Sequence, residues 1–134
     1  PFESDYIYMR TAEFYFVAAE AAYLQGNQSE AAQYLNQIMV TRDPAYSFTG
    51  TGEELYNEIC IQKRIETWGE GVRYNDARRR GEQIQRNLSA NHANAQLAPM
   101  NAVDYSSRDY RMIYQIPSVE LENNSEITNS EQNP

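Results

Sequence analysis

Two carboxylates four residues apart, Glu66 and Glu70, stand among the basic side chains Lys63, Arg64 and Arg73, with Asp76 three residues after Arg73. On an unbroken helix the two Glu would share one face and repel unless cations sat between them. Such a pair could supply a general acid and a base, as in glycoside hydrolysis. The neighbouring guanidiniums, however, would hold both carboxylates ionised, which is poor for a group that must give up a proton. Arg also grips a carboxylate at two points in one plane, and Arg73 can pair directly with Asp76 at this spacing. The pattern favours a structural ion-pair clasp of Arg64, Glu66, Glu70, Arg73 and Asp76 over a catalytic site. Acid–base hydrolysis through Glu66 and Glu70 stands as the competing chemistry.

Few other residues offer chemistry. His92 is the only His and lies in a polar, Asn-rich stretch without Cys or clustered acids, so no metal site or cofactor is expected. The single Cys60 excludes an internal disulfide. Set between Ile59 and Ile61, it reads as a small buried hydrophobe rather than a nucleophile. The run Arg78-Arg79-Arg80 reads as a solvated basic cluster at a helix C-terminus, where cations are favoured. A net charge of −8 argues against a nucleic-acid partner. Eleven of the sixteen aromatic residues are Tyr, whose ring buries well while its hydroxyl still serves water or a partner. That suits a sugar-binding surface, an interface or a helical core equally.

These residues need helices to place them. Phe14, Val17, Ala18, Ala21 and Ala22 recur at helical steps within a first helix, from about Met9 to Leu24 and ended by Gly26. Ala18, Ala19, Ala21 and Ala22 give it a face of small residues. Ser29 is the expected cap of a second helix, with Glu30 in its first turn and Ala31, Tyr34, Leu35, Ile38 and Met39 as its apolar stripe. It runs to about Arg42 and is stopped by Pro44. This hairpin resembles a single tetratricopeptide unit, which would need neighbours to cover its faces. A loop at 44–52 carries Tyr46 and Phe48. Thr51 and Glu54 form a capping box at the start of a third helix running to about Trp68, with Leu55, Ile59, Ile61, Ile65 and Trp68 as its apolar contacts. Gly69-Glu70-Gly71 supplies a break, and a fourth helix follows from about Val72 to Arg80, ended by Gly81. Residues 82–110 lose periodicity and read as a long loop carrying Tyr105 and Tyr110, with a short helix at 82–88. Arg111 to Pro117 looks extended, Ser118 can cap one further helical turn, and 122–134 reads as an irregular tail. The whole, 1–134, is read as one all-α domain.

The charged stretch also resembles a family signature. Gln62-Lys63-Arg64-Ile65-Glu66-x-Trp68-Gly69-Glu70-Gly71-x-Arg73-Tyr74-x-Asp76-x-x-Arg79 is similar to the C-terminal signature of the SusD/RagB family. Three further stretches agree in order and spacing. They are Arg10-Thr11-Ala12-Glu13-Phe14-Tyr15 with Ala18-Ala19-Glu20-Ala21, Tyr34-Leu35-Asn36 followed by Arg42, and Gln115-Ile116-Pro117-Ser118-Val119-Glu120-Leu121 with Asn123 and the final Asn133-Pro134. Thr67 stands where the family has Leu, and Asn75 and Ala77 replace an aromatic and a Leu around Asp76, which predicts looser apolar packing about the fourth helix.

The resemblance implies an all-helical fold of tetratricopeptide-like hairpins supporting irregular regions. It implies a non-catalytic protein held by a lipid anchor on the outer surface of the outer membrane. Such a protein binds polysaccharide, oligosaccharide or another nutrient and caps a SusC-like TonB-dependent barrel. The opening Pro1-Phe2 fits a C-terminal segment of a longer protein, with the anchor upstream. The loop aromatics Tyr46, Phe48, Tyr105 and Tyr110 are the expected ligand contacts, since loops carry binding more often than helices do; packing of these rings beneath their own loops is the competing placement. A tetratricopeptide-like adaptor that grips a peptide is the alternative function.

Overall fold

A computed structural model describes residues 10–85, 104–109 and 112–132. The chain is mostly helical, as expected. Its elements in order are α1 (Thr11–Leu24), α2 (Gln28–Met39), α3 (Glu53–Glu66), α4 (Val72–Arg80), β1 (Gln83–Gln85), β2 (Asp104–Ser106) and α5 (Ser118–Asn123), followed by a 3-10 turn at Asn129–Glu131. The sequence reading treats 1–134 as one domain; contacts group it into two compact units, Pro1–Arg73 and Tyr74–Pro134.

In the first unit α1 packs against both α2 and α3. The core takes Ala12, Phe16, Ala19 and Ala22 from α1, Ala31, Leu35 and Ile38 from α2, and Leu55 and Ile59 from α3. Burial of each large side chain among these contributes about 1.5–3 kcal/mol. The stripe expected on α2 is the one observed. On α1 the phase differs: Phe16 is fully buried, while Phe14 and Val17 are 50% and 46% exposed and Ala21 faces solvent. The run from Phe14 to Ala19 is apolar on every side, so periodicity alone cannot choose the inner face. On α3 the inner line is Leu55, Ile59 and Lys63, one helical turn apart. Ile61, Ile65 and Trp68, expected as contacts, are exposed, Trp68 at 85%. Cys60, expected buried, is half-buried.

Helix starts differ from expectation where a neighbouring residue takes the cap position. Asn27, not Ser29, caps α2: its side-chain oxygen accepts the Glu30 N–H at 3.3 Å, and its amide donates to the Glu30 carboxylate at 2.8 Å. The helix therefore starts one residue before Ser29. Its last regular residue is Met39, short of the expected Arg42. The box of Thr51 and Glu54 does not form. Gly52 occupies the cap position of α3 without a side-chain bond, and its N–H donates instead to Gln28 at 2.8 Å. Ser118 is the first helical residue of α5, with Pro117 at the cap. The helix ends marked by glycine agree. After α1, Gly26 N–H bonds to Tyr23 O and Asn27 N–H to Ala22 O; after α4, Gly81 N–H bonds to Arg78 O and Glu82 N–H to Ala77 O. This is the two-bond closure that spares the last carbonyls from going unpaired.

In the second unit the expected short helix at 82–88 gives way to strand β1. It pairs antiparallel with β2 in the register Gln83↔Ser106, Ile84↔Tyr105 and Gln85↔Asp104. The ribbon is tied to the end of α4. Ser107, fully buried, donates its N–H to Glu82 O at 2.9 Å and its hydroxyl to Ala77 O at 2.7 Å. The Arg108 guanidinium donates to Arg78 O at 3.2 Å and Arg79 O at 3.0 Å, placing a cation at the negative end of the helix. Further on, the Gln132 side chain brackets Ile116, accepting its N–H at 2.8 Å and donating to its carbonyl at 3.0 Å. Gln132 thus anchors the segment after α5 to Ile116.

Candidate functional site

Glu66, at the last turn of α3, is the centre of the charged stretch in the first unit. Arg42, just past α2, grips it at two points: Nε donates to Oε2 at 3.0 Å and Nη2 to Oε1 at 2.7 Å. Arg10, immediately before α1, pairs with Glu66 Oε1, donates to the Glu66 carbonyl at 3.0 Å and also pairs with Glu70 Oε1. One guanidinium thus closes the two carboxylates that an unbroken helix would have set in repulsion. The Glu66 side chain is only 11% exposed. The Arg42 hydrogen bonds, with the charges of Arg42 and Arg10, hold its carboxyl below the usual range against the opposing effect of burial. The Arg42 guanidinium is correspondingly held more firmly protonated.

The backbone is built for this closure. Thr67 is buried and its hydroxyl donates to Lys63 O at 2.8 Å. Gly69 and Gly71 then take φ of +81° and +78°, values that strain any residue with a Cβ. Both glycines lie in the break expected between the third and fourth helices.

Of the clasp residues read from the sequence, Glu66 and Glu70 are brought together, but on Arg10. Arg64 is exposed on α3 and Arg73 half-buried in the first turn of α4. Asp76 belongs to the second unit, where it accepts from Arg79 at 3.1 Å and lies 3.6 Å from Arg80 Nη2. Arg80 also pairs with Glu82 at 2.9 Å. Expected in solvent, the Arg80 side chain is 8% exposed. Arg78 lies over the Tyr74 ring at 6.0 Å and donates to Met112 O at 2.6 Å. The basic run is therefore largely structural, as is its partner Tyr74, whose hydroxyl also donates to Met112 O.

Spacing rules within 62–81 could not find Arg10 and Arg42, 56 and 24 residues away from Glu66. A signal was present nonetheless. They are the only basic residues in the first 62 positions, so they are the only cations that α1, α2 and the loop after them can offer to the end of α3.

The loop aromatics are placed as follows. Tyr46 and Phe48 are half-buried and pack against the core. The Tyr46 hydroxyl donates to Glu58 at 2.8 Å, and burial together with this carboxylate pushes the phenol well above its usual range. Asn36 clamps the loop, accepting Phe48 N–H at 3.0 Å and donating to Phe48 O at 3.2 Å. Tyr105 lies in β2 opposite Ile84. Tyr110 and His92 lie outside the described residues. Beside the clamp, Gln33, Asn36, Gln37 and Val40 line an open depression of about 370 Å³ on α2. Among the described residues no cluster of three or more His, Cys, Asp or Glu could hold a metal ion. No described helix is long and apolar enough to cross a membrane.

Comparison with known families gives a match that covers almost the whole chain: the sequence pattern of the SusD family matches residues 2–134. The chain belongs to the SusD family. The match contains all four stretches that carry the resemblance, and the clasp draws on three of them: Arg10 from the first, Arg42 from the second, Glu66 and Glu70 from the signature itself. No curated protein and no solved structure matches the chain significantly.

Proposed function

We propose that this chain is part of a non-catalytic, glycan- or nutrient-binding protein at the outer membrane, and that the segment acts mainly as scaffold. The family match over residues 2–134 carries the reading. Proteins of this family are surface lipoproteins without catalytic activity that work with SusC-like TonB-dependent transporters. In this reading the whole protein is lipid-anchored at the cell surface and passes a polysaccharide or oligosaccharide to such a barrel.

The geometry around Glu66 supports the non-catalytic side. A glycosidase acid must carry a proton at working pH and deliver it to the leaving oxygen. Glu66 is ionised, nearly buried, and bonded at both oxygens to guanidiniums. Glu70 is held by Arg10. The pair ties the entry to α1, the exit from α2 and the end of α3 into one corner, which is a scaffold's task.

For the ligand, Tyr46 and Phe48 have rings on the core and backbone or hydroxyl groups engaged by Asn36 and Glu58. In this reading they stiffen the loop from beneath, and Tyr105 and Tyr110 are the proposed contacts. The test uses the full-length protein in affinity electrophoresis against a panel of polysaccharides, alongside purification from outer membranes. Retarded migration with at least one glycan, weakened by Tyr105→Ala or Tyr110→Ala, together with a co-purifying barrel, is expected. Unretarded migration throughout and no barrel would overturn the proposal.

A further inference from the structure

We draw no further inference here: the strongest candidate, the exposed apolar strip of Ile61 and Ile65 on α3 with Trp68 just beyond its end, is an unpartnered helix face, and nothing in the structure shows what covers it.

Discussion

Glu66 shows how a residue's chemistry depends on partners far away in sequence. Its own neighbourhood of Lys63, Arg64 and Arg73 suggested an ionised carboxylate, and ionised it is, but the cations that reach it come from the two chain ends of the α1–α2 hairpin. The charge state was legible from local composition; the partners were not, because ion pairs across 24 and 56 residues leave no local period. Replacing Glu66 with Gln leaves two guanidiniums short of their anion. The expected cost is about 1–2 kcal/mol, kept low by the partial exposure of both Arg side chains, and is read from urea unfolding at neutral pH. The pH dependence has a definite sign. Because the folded carboxyl titrates below its unfolded value, the stabilisation is full above about pH 4.3 and is lost as pH falls through the folded value. The stability gap between the native protein and Glu66→Gln should therefore be widest near neutrality and close in acid. A gap that stays constant from pH 7 to pH 3 would show that the ion pairs contribute nothing.

At the level of elements, the ends marked by glycine were readable because glycine solves one geometric problem, whereas caps and faces are chosen in competition. Gly26 and Gly81 close α1 and α4 where expected. Ser29, Thr51 and Ser118 were each reasonable caps, but a neighbour took each position. The inner face of α1 was hidden by its uniform apolarity; on α3 Leu55 and Ile59 were read correctly, but the line continues to the buried Lys63 rather than to Ile61 and Ile65. The strand β1 was missed because three residues, Gln83 to Gln85, carry no periodic signal and need a partner about 20 residues on. Two element-scale outcomes follow. Gly81 has φ +66°, and a Cβ there would meet the Arg108 guanidinium at 3.1 Å. Gly81→Ala should lower stability by about 1–2 kcal/mol in urea unfolding and loosen the ribbon's tie to α4; an unchanged midpoint would contradict the close approach. Asn36→Ala removes both bonds to the Phe48 backbone. It should cost about 1–3 kcal/mol and speed exchange of the Phe48 amide hydrogen beyond that of core amides in α2. Equal protection in both proteins would mean that the loop is held by its apolar contacts alone.

For the whole molecule, the all-α class and the family were legible in the sequence because four short stretches agree in order and spacing across nearly the full length. Nothing in the structure favours the peptide-gripping adaptor over the family reading: the α1–α2 hairpin is present, but it belongs to the SusD family's pattern as well. What was not legible is the ligand surface, since aromatic type alone does not separate a ring that stacks on sugar from one that braces a loop. Tyr46 and Phe48 pack against the core, with the Tyr46 hydroxyl on Glu58. The central claim is that the carboxylate pair at the α3–α4 turn is a clasp within a binding protein. It is tested most directly by incubating the full-length protein, native and Glu66→Gln, with polysaccharides it retains, and assaying new reducing ends. The account predicts glycan retention by the native protein with no new reducing ends, and lowered thermal stability in the variant. Reducing ends released by the native protein and abolished in a folded Glu66→Gln variant would contradict it.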